Sequence, residues 1–228
     1  AFVYFHYAHD INPETWETRF DTIQHAPARG VCGSGLINAA AGLLEAGLID
    51  QNGKINTRSK ASIVRKGRGG PEIVLAPAEK TEAGADLVIT EPDLDNLIRA
   101  KAAMYAGYQT LVEHVGISME VIEKVFLAGN FGSTLNIENA VTIGLLPDID
   151  REKFNFVGNA SLRGAAMVNR SAELLHDAEL LSTMVTNVEF WDNPMFMENY
   201  MASMFFPHTH REKFPAIFER LERIGASR

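Results

Sequence analysis

The 228-residue sequence predicts an α/β fold, a mixed sheet flanked by helices. Two observations carry that expectation. Short apolar, β-branched runs such as VIEKVFLA (121–128) and FNFV (154–157) alternate with longer segments whose apolar residues recur at helical spacing. The junctions between them carry glycine, Asx or capping signals, the punctuation of strands covered by helices.

In order, Ala1 to Tyr7 is aromatic and β-branched and predicts a strand. Asp10 to Gln24 is polar and is expected as loop or short helix. At ARGVCGSGLINAAAGLLEAG a helix starts at Gly33 or Ser34, with Leu36, Ile37, Ala40, Leu43 and Leu44 on one stripe and Gly47 as its stop. Asp50 to Lys54 holds an Asn-Gly turn. Residues 61–79 contain RKGRGG and then EIVLAPAE, a loop and a short strand. Ala85 to Thr90 is a further strand that ends in a helix start. Thr90 with Asp93 three residues on, and Pro92 in the first turn, forms a capping signature for a helix ending near Gly116. Val121 to Ala128 is a buried strand, Ile137 to Gly144 a short helix and Phe154 to Val157 a strand. Gly164 to Val185 is expected as one long helix and Val188 to Phe190 as an edge strand. A Met-rich aromatic stretch follows, and FPAIFERLERIG closes the chain as an amphipathic helix. RKGRGG is the most linker-like point, but it is short and is taken as a loop within one unit. There is no internal repeat.

Bulk composition narrows the function classes. Net charge is −8 and the pI about 5.4, which argues against a general nucleic-acid binder with its basic face and against a polybasic membrane anchor. No apolar run reaches the roughly 20 residues of a membrane helix, and there is no signal-peptide pattern. A single cysteine, Cys32, excludes an internal disulfide framework and an all-cysteine metal or iron–sulfur site. The default compartment is the cytoplasm. The chain opens on AFVYFHYAHD, without Met and already strand-like. Either an initiator Met has been removed or the chain is a piece of something longer.

Four motifs bear on chemistry. In VFLAGNFGSTLNIENAVTIGLLPD (125–148), a greasy strand turns through Gly129, Asn130, Phe131 and Gly132 into a helix. Such a turn lets a phosphate, ribose or base approach main-chain N–H groups; it also arises for steric reasons alone. It is neither G-x-G-x-x-G nor a P-loop. Cys32-Gly33-Ser34-Gly35, at a helix start, suits an anion or a thiol of lowered pKa, or simply a small buried side chain. Lys101, among Ala100, Ala102, Ala103, Ala106 and Gly107, either reaches a nucleotide or snorkels to solvent. His208 and His210 share a strand face and are a metal-ligand pair only if a third ligand joins them. The residues Trp191, Phe196, Met201, Met204, Phe205 and Phe206 are core or a docking surface.

Taken together, P-A-R-G-V-C-G-S-G-L-I, I-R-A-K-A-A-M-Y-A-G, V-F-L-A-G-N-F-G-S, I-G-L-L-P and G-N-A-S-L-R-G-A, in this order over residues 27–215, resemble the C-terminal part of the reductive activators of corrinoid proteins. That family is similar to the superfamily of acetate and sugar kinases, actin and heat-shock chaperone ATPases. The resemblance implies an actin-like ATPase (ribonuclease H-like) lobe. It implies an ATP-dependent activity that returns cob(II)alamin in a corrinoid protein to cob(I)alamin for methyl transfer. ATP with Mg would be the cofactor, and a 2Fe-2S cluster in a separate N-terminal domain the electron source. The partner would be a corrinoid protein, with a homodimer as a further option, and neither nucleic acid nor membrane.

By the same resemblance, Ala128, Gly129, Asn130, Phe131, Gly132 and Ser133 form the adenosine turn, with Lys101 on the helix before it. Asn130 stands where relatives carry a second glycine, so its side chain crowds the nucleotide. Gly158 to Ala165 resembles the segment near the second interdomain connection. The four-cysteine cluster motif and the D-x-G-[TS] phosphate loops are absent from this sequence. The expectation is therefore that residues 1–228 are the C-terminal portion of an actin-like ATPase domain, unable to hydrolyse ATP alone. The alternative expectation is a non-catalytic docking domain.

Overall fold

The computed structural model describes residues 5–12, 15–129, 132, 134–190 and 192–226. It begins with an antiparallel hairpin, β1 (Phe5–Ile11) and β2 (Thr18–Thr22), with Ile11 opposite Thr18. The strand expected over Ala1 to Tyr7 thus runs on to Ile11, and its first four residues lie outside the described ones. The segment expected as loop or short helix holds β2 and a 3-10 turn at Ile23–His25. TRFDT is exposed on alternate positions and only Phe20 is apolar, so no apolar run marks it as a strand.

Helix α1 (Gly33–Glu45) forms as expected and is the centre of the core, with Ile37, Ala40, Leu43 and Leu44 buried. Gly47 ends it at φ 63. Its amide donates to Leu44 O at 3.0 Å and that of Leu48 to Leu43 O at 2.9 Å, the paired bonds of a Schellman stop. In the Asn-Gly turn, the Asp50 carboxylate accepts from the amides of Asn52 and Lys54, both at 2.8 Å.

Strands β3 (Val64–Gly67), β4 (Gly70–Ala76) and β5 (Leu87–Thr90) make an antiparallel sheet in that order. RKGRGG is accordingly not a plain loop. Arg65, Lys66 and Gly67 belong to β3, Gly70 opens β4, and only Arg68 and Gly69 turn the chain. Its charge reflects an outer strand, where Lys and Arg keep an open edge in water.

Helix α2 (Glu91–His114) carries the expected capping box, the Thr90 amide donating to Asp93 Oδ2 at 2.9 Å. It stops at Gly116, φ 70. Strand β6 (Val125–Ala128) starts later than expected because Met119–Val121 is a 3-10 turn. It pairs in parallel with β7 (Phe154–Gly158). Between them lies α3 (Ile137–Thr142), capped by Asn136.

The single long helix expected from Gly164 is two, α4 (Ala160–Val168) and α5 (Ala172–Met184). Ser171 breaks it, its hydroxyl accepting from the Leu174 amide at 3.2 Å, because a serine caps a new helix better than it continues an old one. Residues 188–190 form no strand. Phe190 instead stacks on Phe196 at 5.0 Å and faces Gly107, where a Cβ would lie 3.6 Å from the ring.

The last helices are α6 (Pro194–Ala202) and α7 (Pro215–Ala226). The aromatic stretch is divided: Phe206 is fully buried with Phe214, Ile217 and Phe218, while Met197 and Met201 are exposed. Trp191 lies outside the described residues. Among the described residues parallel and antiparallel pairing are both present, distributed over three small sheets. Among the described residues no helix is long and apolar enough to cross a membrane.

Candidate functional site

The site is built where β6 and β7 end side by side. Ala128 pairs with Gly158, and the Gly129 amide donates to the Gly158 carbonyl at 2.7 Å. Both glycines hold left-handed backbone, φ 95 at Gly129 and φ 66 at Gly158, which a side chain disfavours by roughly 1–2 kcal/mol. A Cβ on either would meet nothing within 4 Å among the described residues. Among the described residues packing therefore does not demand glycine here; the turn conformation does, and it leaves the backbone without a Cβ. At Gly132 the reason differs, since a Cβ there would come within 3.3 Å of Leu127 O as the chain folds back over its own strand.

Beyond Gly158, Asn159 caps α4, its Oδ1 accepting from the Leu162 amide at 3.0 Å. The first turn of α4 is exposed and carries no acidic residue, so its positive end is not neutralised locally. Arg163, also exposed, donates from Nη1 to Val157 O at 3.4 Å. Two glycine turns and a helix N-terminus thus meet at the carboxyl ends of two parallel strands, where open α/β sheets bind ligands.

Of the expected turn residues, Ala128, Gly129 and Gly132 are placed here; Asn130, Phe131 and Ser133 lie outside the described residues. Lys101 is committed elsewhere. It is fully buried, and its Nζ donates to Phe205 O at 2.5 Å and to Pro207 O at 2.6 Å. Burial holds its pKa well below the usual lysine range. Position 101 on an Ala-rich face suggested reach, but close packing of that face pulls the amine inward instead.

Cys32 is the N-cap of α1, its sulfur accepting from the Gly35 amide at 3.3 Å and lying 3.3 Å from Ser34 Oγ. His208 is buried, with Nδ1 accepting from the His210 amide at 2.9 Å. Burial, with the Lys101 ammonium nearby, pushes its pKa down to about 3. Among the described residues no group of three or more His, Cys, Asp and Glu is arranged to hold a metal ion. With one cysteine, used as a cap, these residues do not fit an iron–sulfur cluster. The glycine turns do fit a nucleotide's close approach.

Sequence reasoning on the site residues left out Gly158 and Asn159. The signal was present: both parallel strands end in Gly-Asn, at 129–130 and 158–159.

Comparison with known proteins gives the family and the fold. The family model described as the C-terminal domain of RACo, the ASKHA domain, matches residues 7–218. Corrinoid activation enzyme RamQ of Eubacterium limosum is 30% identical over 200 residues, 85% of this chain and 34% of RamQ. The Co(II) methylated amine-specific corrinoid protein reductase of Methanosarcina barkeri is 27% identical over 159 residues, 70% of this chain and 25% of that protein. A solved structure of a reductive activator for corrinoid, iron–sulfur protein matches with TM-score 0.86 and 39% identity, over 93% of this chain and 34% of that one. The chain spans about a third or less of the length of these relatives.

Proposed function

Because the chain belongs to the family of RACo C-terminal ASKHA domains, an actin-like ATPase fold, we propose that it is the adenosine-side lobe of an ATP-dependent reductive activator. The activator returns cob(II)alamin in a corrinoid protein to cob(I)alamin for methyl transfer, in the cytoplasm. The observation that carries the reading is the pair of left-handed glycines, Gly129 and Gly158, bonded to each other beside the exposed start of α4. Their bare backbone admits a flat adenosine, and the helix end favours the negative charge of its phosphates. Asn130 and Asn159 sit next to these glycines with amides that donate and accept.

ATP, with Mg, supplies the free energy for an uphill one-electron reduction, which shifts the activator between states that hold the corrinoid protein differently. The electron comes from a 2Fe-2S cluster outside these residues. This lobe binds and orients the nucleoside; hydrolysis requires acidic phosphate loops that residues 1–228 do not contain.

A second feature supports the lobe assignment. Neither α4 nor α5 buries a single residue, and Leu162, Met167, Leu180, Leu181 and Met184 are exposed on them. Phe126 and Phe156 on β6 and β7 are exposed too. A parallel pair with open apolar faces is an incomplete layer, since parallel sheets are covered on both sides. In our reading this surface packs against the remainder of the activator polypeptide, which accounts for the greater length of the relatives. The docking-domain alternative works instead through the Met/aromatic stretch, on which Met201 is exposed, and requires no nucleotide.

Photolabelling with an azido-adenosine nucleotide tests the proposal. Label is expected in the peptides that contain 129–133 and 158–164, and excess ATP suppresses it. Label spread over other surfaces, or unaffected by ATP, contradicts it.

A further inference from the structure

Arg163 turns back toward the start of its own helix. It stands at the end of the first turn of α4, yet its Nη1 donates at 3.4 Å to the Val157 carbonyl, which belongs to the peptide bond leading into Gly158. The guanidinium therefore lies against the glycine turn of the site and not out along the helix. Helix stability does not explain a cation there, because the positive end of the helix dipole disfavours one.

Ion pairing does not explain it either. Arg29, Arg65, Arg151 and Arg220 pair with Glu82, Glu72, Glu138 and Glu45 in turn. Among the described residues Arg163 has no carboxylate partner, and its one bond, to a backbone carbonyl, is long. The sequence keeps acids away from it. No Asp or Glu stands between Glu152 and Glu173, and none between Glu123 and Glu138, in a chain with 29 acidic residues. Both strands that end at the site, and both turns that follow them, are free of carboxylates. The exposed guanidinium thus has no competing partner for its flat faces.

A phosphate and a flat ring make different demands on such a group. A phosphate takes the in-plane N–H edge, and here part of that edge is turned to a carbonyl oxygen, whose dipole offsets some of the positive charge and repels an anion. A ring takes the face and leaves the edge bonds intact. The backbone at Gly158 carries no Cβ, so a ring laid over it comes to lie beside the guanidinium.

On the adenosine reading above, on which this step rests, we propose that Arg163 is the base clamp of the site. Its guanidinium stacks on the face of a purine laid over the Gly158 turn, and the ligand class selected by this residue is the purine nucleoside, recognised by its ring and not by its phosphates. A pyrimidine offers the clamp a smaller face and is held less well.

Calorimetric titration of the whole chain with adenosine, cytidine and ADP tests this. Arg163→Ala is expected to weaken adenosine and ADP by the same factor, about fivefold or more. Arg163→Lys keeps the charge without the plane and restores only part of the loss. The unmodified chain prefers adenosine to cytidine, and the preference shrinks in Arg163→Ala. Arg170→Ala, which removes an exposed cation just past the end of α4, keeps full affinity and controls for long-range charge. Positions 163 and 170 are exposed, so the variants keep their thermal midpoints. Full affinity in Arg163→Ala, a loss that grows from adenosine to ADP, full recovery in Arg163→Lys, an equal loss in Arg170→Ala, or equal affinity for cytidine overturns the clamp and leaves the adenosine site standing. Absence of binding of adenosine and ADP by the unmodified chain overturns the adenosine site and the clamp together.

Discussion

Lys101 and Pro207 are joined in the core: the lysine Nζ donates to the proline carbonyl at 2.6 Å, with the Phe205 carbonyl taking a second bond. Gly144 stands against the same Pro207 carbonyl, so that a Cβ built on it would overlap the oxygen. Positions 101, 144 and 207 thus converge on one backbone group, and the segment between α6 and α7 is fastened to α2 through it.

Replacing Lys101 with Met removes the donor from two carbonyls and is expected to cost on the order of 3 kcal/mol. Urea denaturation reads this as a lower midpoint with an unchanged slope. Unchanged stability would free Lys101 for a ligand role.

Gly144→Ala is expected to cost about 3 kcal/mol or more, because the methyl meets fixed backbone and the residue sits at φ 73. Gly84→Ala is its control. Gly84 has φ 61 with nothing within 4 Å of a Cβ, so only the left-handed backbone is penalised, by about 1 kcal/mol. Equal losses at the two sites would show that the Pro207 contact does not restrain the fold.

How these residues were disposed was only partly legible beforehand. Elements whose signals are local were readable: the box at Thr90 and Asp93, the Schellman stop at Gly47 and the apolar stripe of α1 all depend on a few neighbouring residues. The β2 strand was not, because Arg19 and Asp21 are its exposed face and on the other face Thr18, whose hydroxyl donates to the Leu75 carbonyl, is polar too. Ser171 was passed over because the helical period continues across it. In the site, the 125–132 turn stood out, while Gly158, although it too follows a strand and precedes an Asn, becomes its partner only once β6 and β7 are known to be neighbours. Lys101 could not be placed at all, since the reach of a long side chain is decided by residues more than 100 positions away.

His208 gives the acid limb of stability a definite sign. Burial, then the Lys101 ammonium, lowers its pKa from 6.5 to about 3, so below pH 6.5 the unfolded chain takes up a proton that the native chain refuses. Stability therefore falls as pH drops from 6.5 toward 3, by on the order of 1 kcal/mol per pH unit from this group. His208→Asn keeps an acceptor for the His210 amide and removes the titration. Its denaturation midpoint is expected to fall less steeply across that window than that of the unmodified chain. Parallel pH profiles would contradict the assignment.

Steady-state assay of this polypeptide with Mg-ATP is expected to give no turnover above background, since neither lobe's acidic phosphate loop is present in it. Measurable hydrolysis that tracks the purified chain would refute that expectation.

The most direct measurement is calorimetric titration of the chain with ADP and Mg-ATP, alongside Gly129→Val and Gly158→Val. Among the described residues nothing stands within 4 Å of a Cβ on either glycine, so the variants strain a turn and block a ligand without displacing a described neighbour, and circular dichroism checks that they fold. The account predicts saturable nucleotide binding by the unmodified chain and its loss in both variants. Binding that survives both substitutions, or no binding by the unmodified chain at millimolar nucleotide, would contradict the claim that these paired turns form the adenosine site.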